Sequence, residues 1–468
     1  MAERLSMQTL DALAPGVERF AYDRADLAIG VAHLGPGAFH RAHQAWYFDR
    51  LLEIDPRWAI SGIAPKSATV PDALAPQDGL YALAELEAVT RVRVIGAVTE
   101  VLAAPREPQR VLARLAAPAT RWLGLTVTEK GYGLSPSGDL DAGNVDVAAD
   151  LAPGGGQAPR SAIGWIVEGL ARRRAAGLAP FVVASCDNLP DNGAKLRRGV
   201  LQMAAARGAD LAAWIEGEVR FPSSMVDSIT PAADDALRAL VENRMGLVDA
   251  APVQREGFTQ WVLEDGLGPD GPDLGAVGVT LTSDVAGYEA AKLRLLNGAH
   301  SSLAYLGLGR GLETMAEAAA DPELGAFVRD LMIIDIAPTV TAPRGMDVGG
   351  YIEAILKRFR NPAIRHRLAQ IAMDGSQKLP IRLLATTQAA LDAGRPVERL
   401  GRAVAAWLAF VAHETAAGRA LQDPMAERLA GVVRERGAMA LLDLREMFPA
   451  RLAEDPRFRT AVAAGLEA

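Results

Sequence analysis

Buried strands alternate with amphipathic helices along the first 185 residues of this chain. Four short apolar runs predict strands: 27–34, 58–63, 121–128 and 180–185. Three segments with helical spacing lie between them: 38–52, 105–116 and 161–176, the last preceded by Ser161 as a capping residue. Parallel strands need crossover helices, so this order predicts an α/β fold with a doubly wound parallel sheet.

Two other features interrupt the alternation. The branched runs at 80–88 and 91–98 predict a hairpin or extra strands. Residues 133–160 are rich in Gly, Pro and Asp and predict a long loop, a feature that is often functional in a compact domain.

From about residue 284 onward the spacing is helical nearly to the end of the chain. Eight segments have this spacing: 295–310, 315–320, 323–335, 349–359, 362–373, 379–393, 403–417 and 424–436. We therefore expect two domains, a dinucleotide-binding domain over 1–283 and a helical substrate and catalytic domain over 284–468.

Charge and composition exclude several classes of function. The net charge is −8 with no long basic run, which argues against nucleic-acid binding. The single cysteine, Cys186, rules out an intrachain disulfide and a multi-cysteine zinc site. We see no signal peptide and no apolar run of membrane-spanning length, so we expect a cytoplasmic protein with no membrane partner.

A glycine turn follows the first predicted strand, in the sequence His33-Leu-Gly35-Pro-Gly37-Ala-Phe-His40. Two glycines between a strand and a helix let the backbone approach a pyrophosphate, whereas alone they also fit an ordinary tight turn. His40 stands where the full fingerprint has a third glycine. The second strand is followed by Lys66 and Ser67 rather than by the acid that binds ribose, so NADP remains open beside NAD.

A lysine, an asparagine and a histidine interrupt an apolar run in Lys292-Leu-Arg-Leu-Leu-Asn297-Gly-Ala-His300. In an α-helix, at about 100° per residue, the three polar groups fall within an arc of roughly 140°. A buried lysine loses solvation that favours its charged form, which suits a general base near neutral pH. The alternative is a partly exposed helix with three ordinary polar residues.

Other polar segments have competing interpretations. His40 and His43 lie three residues apart, but no third ligand cluster accompanies them, and we expect no metal site. The segments 185–193 and 221–231 combine polar residues with turn signals, and each alone fits a capped turn.

Six motifs taken together resemble the mannitol dehydrogenase family of long-chain polyol dehydrogenases and reductases. They occur in this order: GPGAFHRAHQA (35–45), TVTEKGY (126–132), SCDNLPDNG (185–193), FPSSMVDSITP (221–231), YEAAKLRLLNGAHS (288–301) and MDGSQKLP (373–380). The resemblance implies an N-terminal Rossmann-type doubly wound sheet plus a C-terminal mostly α-helical domain. It also implies a nicotinamide cofactor, NAD or NADP, and no catalytic metal.

The resemblance also implies roles for individual residues. Lys292 matches the family's catalytic lysine, Asn297 and His300 match its substrate-orienting partners, and Asn188 matches a catalytic asparagine. Asp227 and Lys378 match positions that contact substrate hydroxyls. Residues expected to bind the cofactor are Gly35, Gly37, Ala38, Phe39, Lys66 and Glu129.

In the implied mechanism, Lys292 takes the hydroxyl proton during oxidation and returns it during reduction. Asn188 and Asn297 would donate hydrogen bonds to the oxygen as charge develops. Glu289 would tune the lysine or relay its proton, unless it is a surface glutamate. Ser228 departs from the family, whose members usually have arginine there, which puts a local salt bridge or substrate contact in doubt.

The motifs EKGY and MDGSQKLP resemble the fructuronate reductase (mannonate oxidoreductase) branch more than the mannitol branch. A keto-sugar acid needs a cation for its carboxylate, and Lys378, Lys130 and Arg382 are the candidates. Oxidation of a neutral polyol, a sugar-phosphate dehydrogenase with Arg365, His366 and Arg367, and a catalytically silent binding protein are the alternatives. Either a monomer or a homodimer is compatible with the sequence.

Overall fold

The computed structural model describes residues 3–467 of the chain. Contacts between residues divide it into two compact units, one ending at Val285 and the other beginning at Ala286. The described part of the first unit contains twelve strands: β1 (Glu18–Arg19), β2 (Ile29–Leu34), β3 (Ala59–Ala64), β4 (Tyr81–Leu86), β5 (Arg91–Ile95), β6 (Val98–Ala103), β7 (Trp122–Leu125), β8 (Val182–Ser185), β9 (Ser224–Asp227), β10 (Val253–Glu256), β11 (Gln260–Glu264) and β12 (Thr280–Thr282).

The central sheet of the first unit has five parallel strands in the order β6-β3-β2-β7-β8. Numbered within the sheet, this order is 3-2-1-4-5, which is the Rossmann order. The predicted doubly wound parallel sheet is therefore confirmed. The strand order reverses between β2 and β7, and their carboxyl ends border the crevice in which such folds bind ligands.

Both faces of this sheet are buried, which explains why its strands are continuous apolar runs. Along β2, Val31 belongs to one hydrophobic cluster and Ala32 and Leu34 belong to another. Successive side chains of a strand point to opposite faces, so the two clusters cover opposite faces of the sheet.

Two smaller sheets complete the unit. The predicted hairpin is confirmed, because β4 and β5 pair antiparallel, and the sheet β1-β5-β4-β10 forms around them. A three-stranded sheet has the order β12-β11-β9. The nine α-helices described in this unit are Ala38–Ala42, Gln44–Leu51, Thr69–Leu74, Pro108–Ala116, Val145–Leu151, Ala162–Ala175, Asn192–Arg207, Ala209–Glu218 and Asp235–Met245.

Two predictions for this unit were wrong in part. The helix expected over 38–52 is broken at His43, whose backbone leaves the helical region at φ −120° and ψ −86°. The loop expected over 133–160 contains the helix Val145–Leu151, capped by the Asn144 side chain on the amides of Asp146 and Val147. Seven residues give only two helical turns, so the surrounding Gly, Pro and Asp residues dominated the sequence signal.

The second unit is helical. Twelve α-helical segments lie in or enter its described residues: Val285–Ala291, Gly298–Gly309, Met315–Ala320, Pro322–Asp330, Val348–Phe359, Leu368–Ile371, Gly375–Leu379, Ala385–Asp392, Glu398–Ala416, Ala426–Arg436, Ala450–Ala453 and Pro456–Glu467. Three π-helical segments occur among them: Lys292–Asn297, Leu331–Ile336 and Pro380–Leu384. The first packs against the other two.

The helix expected over 362–373 was wrong for most of its length, since only Leu368–Ile371 is α-helical. The Asn361 side chain accepts a hydrogen bond from the amide of Ala363, which starts a turn instead. In the described part of the chain, no helix has the length and apolar character needed to cross a membrane.

Candidate active site

The glycine turn lies between β2 and the helix Ala38–Ala42, for which Gly37 is the N-cap. Gly35 has φ +91°, and a Cβ there would lie 2.1 Å from the carbonyl oxygen of Thr126, so only glycine fits. Gly37 is exposed, and a Cβ on it would find only the Gly35 oxygen, at 4.0 Å. Internal packing therefore does not require glycine at 37, whereas close approach of a diphosphate to the backbone would require it.

The side chains beside this turn are aromatic and neutral. Phe39 is half-buried and stacks on His43 with ring centroids 5.0 Å apart. His40, at the place of the third glycine, is fully buried and stacks on His33 at 3.4 Å. Burial lowers the pKa of His33 to about 3 and that of His40 well below its ordinary value. Both rings are therefore uncharged at neutral pH.

Lys66 and Ser67 follow β3 at the position expected to read the adenosine ribose. Both are exposed. Lys66 forms an ion pair with Asp146, on the helix Val145–Leu151 that the sequence did not predict. Ser67 caps a local turn, with its oxygen 3.1 Å from the amide of Thr69. No sequence signal identified Asp146, because it lies 80 residues from Lys66.

The loops after β7 and β8 are joined by the carboxylate of Asp187. It accepts hydrogen bonds of 2.9 Å from the amides of Val127 and Thr128 and of 2.6 Å from the Tyr132 hydroxyl. Burial raises the pKa of Asp187. The bonds hold Thr128 at φ +65° and fix the loop that carries Glu129, which is exposed.

Asn192 connects the loop after β8 to β9. Its amide donates to the carbonyl oxygens of Asp187 and Ser224, at 3.2 and 2.8 Å, and its oxygen accepts from the amide of Ser224 at 2.9 Å. Within this unit, the network places Asn188, which is exposed, and Asp227, which is buried at the end of β9, on connected segments. Sequence reasoning singled out Asn188 and Asp227 but missed Asp187 and Asn192 as the residues that position them.

Ser228 occupies the position at which the family pattern has arginine. Its hydroxyl donates a 3.0 Å hydrogen bond to the carbonyl oxygen of Phe258. This chain therefore has a neutral hydrogen bond at the position where the arginine of the family pattern would form a salt bridge or contact the substrate.

Lys292 begins the π-helical segment Lys292–Asn297, and only 9% of its surface is exposed. The amide of Gly298 bonds to the carbonyl of Leu293, five residues earlier. Hydrogen bonds in a π-helix span five residues, so Lys292 and Asn297 lie one turn apart rather than at opposite ends of a 140° arc. The α-helical spacing assumed from the sequence was wrong here. Glu289 lies one turn before Lys292 and is half-buried.

His300 lies in the helix Gly298–Gly309 and stacks on Phe359, with ring centroids 5.4 Å apart. The ring of His366 is 4.8 Å away. Burial lowers the pKa of His300 well below its ordinary value, and the nearby charges of His366, Arg382, Arg358 and Lys378 lower it further. Among the described residues, Nε2 of His300 has no hydrogen-bond partner.

The candidate cations for a carboxylate differ in their hydrogen-bond partners and exposure. Lys378 donates to the carbonyl oxygen of Met373 at 2.6 Å and lies 3.8 Å from Asp374. Arg382 donates to the Ser301 hydroxyl at 3.0 Å, and its Nε is buried with no partner in the described range. Lys130 is exposed in the first unit. Arg365 and Arg367 are exposed on either side of His366.

His40 and His43, the two histidines considered as metal ligands from the sequence, have other contacts. His40 stacks on His33, and Nε2 of His43 lies 2.9 Å from the carbonyl oxygen of Gln260. Within residues 3–467, no group of three or more His, Cys, Asp or Glu side chains is arranged to hold a metal ion.

Comparison with known proteins identifies the family of this chain. The model of the mannitol dehydrogenase Rossmann domain matches residues 29–273, and that of the mannitol dehydrogenase C-terminal domain matches residues 284–468. The chain belongs to the mannitol dehydrogenase family. It is therefore an oxidoreductase of CH–OH groups, and its first unit is a Rossmann domain of the NAD-binding type.

Members of the mannitol dehydrogenase family with different names resemble this chain to similar degrees. D-mannonate oxidoreductase of Escherichia coli (strain K12) is 40% identical over 464 residues, which cover 96% of this chain and 95% of that protein. Mannitol 2-dehydrogenase of Phaeosphaeria nodorum is 37% identical, over 95% of this chain and 80% of that protein.

A solved structure from the mannitol dehydrogenase family extends the comparison to the fold. The Pseudomonas fluorescens mannitol 2-dehydrogenase, in a ternary complex with NAD and D-mannitol, has a TM-score of 0.82 and 37% identity. The match covers 99% of this chain and 96% of that one.

Proposed function

We propose that this protein interconverts a keto-sugar acid and its alcohol with NAD(H), and that fructuronate and mannonate are its substrate pair. The observation that carries the proposal is the group of cations around His300. Lys378, Arg358 and Arg382 lie close enough to lower the pKa of His300, and Arg382 keeps a buried Nε–H without a partner in the described chain. A substrate carboxylate would complement this charge.

Arg382 is the best candidate for the carboxylate contact. Lys378 already donates to main-chain carbonyls and has Asp374 beside it, which compensates its charge. Arg382 is held by Ser301, so its guanidinium has a fixed direction. A guanidinium matches a carboxylate with two parallel hydrogen bonds, and these are stronger than bonds to a neutral hydroxyl.

Proton transfer is assigned to Lys292. In the reducing direction its ammonium donates a proton to the oxygen of the ketone, and in the oxidising direction its amine accepts the proton of the alcohol. The nicotinamide, when bound, supplies or accepts the hydride at the same carbon. The low exposure of Lys292 limits exchange of its proton with water.

The other residues orient the substrate. His300, uncharged at neutral pH, offers Nε2 to a substrate hydroxyl. Asn297, one π-turn from Lys292, would donate a hydrogen bond to the oxygen on which charge develops. Asn188 and Asp227 retain the proposed roles of oxyanion donor and hydroxyl acceptor. The cofactor diphosphate is assigned to Gly35, Gly37, Ala38 and Phe39.

Initial rates distinguish the proposal from its alternative. Fructuronate and fructose are compared side by side with NADH, by following absorbance of the reduced nicotinamide. Fast reduction of fructuronate with little turnover of fructose supports a sugar-acid reductase. The reverse result contradicts it and favours a neutral polyol as substrate, the activity for which the Phaeosphaeria relative is named.

Variants at Arg382 give an independent test. Arg382→Gln should raise KM for fructuronate by about tenfold to a hundredfold through loss of a charged hydrogen bond, while KM for fructose changes little. Arg329→Gln is the matched control, because Arg329 is a half-exposed arginine of the same unit paired with Glu353. Equal losses on both substrates would show that Arg382 does not recognise a carboxylate.

A further inference from the structure

The ion pair between Lys66 and Asp146 lies where Rossmann domains distinguish NAD from NADP. The side chain of Lys66, two residues beyond β3, is 59% exposed, and that of Asp146 is 31% exposed. In this fold the adenosine ribose reaches the carboxyl end of the second strand of the sheet, where an acid binds its 2′-hydroxyl. The second strand here is β3, and the residues that directly follow it include no acid.

The helix Val145–Leu151 supplies the missing carboxylate from another part of the chain. Asp146 is in its first turn, and the Asn144 cap fixes that turn through the amides of Asp146 and Val147. The helix is therefore held by Asn144 rather than by Asp146. Asp146 also places a negative charge against Lys66, the cation that would otherwise face a 2′-phosphate.

A second cation at the same edge is compensated in the same way. Arg106 follows β6, the neighbour of β3, and forms hydrogen bonds of 2.6 and 3.0 Å to the two carboxylate oxygens of Asp72. Both cations that follow these adjoining strands are thus paired with aspartates. A 2′-phosphate carries close to two negative charges at neutral pH and would meet two carboxylates at this edge.

We infer that Asp146 is the specificity-determining residue for the cofactor: it accepts a hydrogen bond from the adenosine 2′-hydroxyl, neutralises Lys66 and disfavours a 2′-phosphate. The protein therefore prefers NAD(H) to NADP(H). This inference rests on the proposed nicotinamide-dependent function and adds to it the residue that selects between the two nucleotides.

Binding of the two nucleotides tests the inference without using activity. The full-length protein is titrated separately with NADH and with NADPH, and dissociation constants are read from energy transfer between tryptophan and the reduced nicotinamide. The unaltered protein should bind NADH at least about tenfold more tightly than NADPH. Asp146→Asn should lower that preference by about tenfold or more, because it frees the charge of Lys66.

Lys66→Met provides the opposite change. It removes the cation and leaves the carboxylate, so the preference for NADH should rise, whereas a merely structural disturbance would shift both variants in one direction. Asp139→Asn is the control, since Asp139 is a half-exposed acid before the same helix. It accepts hydrogen bonds from Ser137 and Gln202 and lies 3.8 Å from Arg198, not beside Lys66. Its preference should equal that of the unaltered protein.

The failures of the two proposals are distinguishable. Tight NADH binding with the same preference in Asp146→Asn, or an equal change in Asp139→Asn, overturns the inference and leaves the proposed function intact. Binding of neither nucleotide to the unaltered protein overturns the proposed function and the inference with it.

Discussion

The carbonyl oxygen of Arg382 lies 2.9 Å from the point that a Cβ on Gly298 would occupy. Gly298 directly follows the π-helical segment that carries Lys292, and Arg382 lies in the π-helical segment Pro380–Leu384. The absence of a side chain at 298 therefore lets the backbone bearing the proposed carboxylate ligand approach the backbone bearing the proposed acid–base residue. All of this packing lies within the helical unit.

Replacing that glycine should disturb both stability and substrate recognition. Gly298→Ala forces the backbone at Arg382 to shift, and we expect a loss of about 1–3 kcal/mol in the free energy of unfolding together with a higher KM for the keto acid. Urea denaturation and initial rates measure the two effects. Gly309→Ala, in the same helix with no atom within 4 Å of its Cβ, should change stability by less than about 1 kcal/mol. Equal effects of the two variants would contradict this interpretation.

Lys292→Ala should lower kcat by about a hundredfold to ten-thousandfold, which is the usual loss on removing a general acid–base group. The dissociation constant for NADH should not change, because the residues assigned to the cofactor lie in the Rossmann domain. Rates across a range of pH and fluorescence titrations measure the two quantities. Lys357→Ala, at an exposed lysine of the same unit, is the control. Near-normal kcat in Lys292→Ala at all pH values would exclude Lys292 as the base.

The burial of His33 predicts that the free energy of unfolding falls in mild acid. Burial lowers the pKa of His33 from 6.5 to about 3 in the folded protein. Between these values the unfolded chain binds a proton that the folded chain does not, so the stabilising contribution is full above 6.5 and is lost as pH falls below it. The slope approaches about 1.4 kcal/mol per pH unit.

The His33→Gln variant isolates this effect, since a glutamine amide does not titrate and still reaches the Thr126 hydroxyl, which is 2.8 Å from the His33 ring. Urea unfolding of both proteins at about pH 7 and about pH 5 should show a greater loss for the histidine protein. An equal loss in the free energy of unfolding of the two proteins over this range would mean that His33 is protonated without cost in the folded state.

Asn192→Ala should lower the free energy of unfolding by about 1–3 kcal/mol, because it leaves the buried amide and carbonyl of Ser224 without their partner. It should also lower kcat/KM, since Asn192 joins the loop bearing Asn188 to the strand that ends at Asp227. Thermal unfolding and initial rates measure both. Asn243→Ala, at an exposed asparagine, should affect neither, and a similar loss in both variants would remove the special role of Asn192.

Periodicity and local motifs predicted much of this protein. Apolar runs separated by helical segments identified four of the five strands of the central sheet. The fifth, β6, was missed, because it begins at Val98, the last residue of the run predicted at 91–98, and that run corresponds to β5. The glycine turn was recognisable because strand, turn and helix are consecutive in the chain. The motif around Lys292 was recognisable because polar residues in a buried run are rare.

Local patterns were insufficient where distant contacts decide the conformation. The break at His43 and the turn at Asn361 interrupt runs with good helical spacing. The π-helical segment at Lys292 packs against two other π-helical segments, and the spacing of its own residues cannot reveal these contacts.

The fold class, the family and the residue types available for chemistry follow from the hydrophobic period and from short ordered motifs, both of which are local properties of the chain. Which of these residues meet depends on the tertiary structure. The tertiary structure pairs Lys66 with Asp146, which lies 80 residues away in the chain, and it places cations near His300. It also leaves Arg382, rather than Lys378, with a buried hydrogen-bond donor that has no partner among the described residues. Such pairings depend on how elements pack, and packing brings together side chains that no spacing along the chain relates.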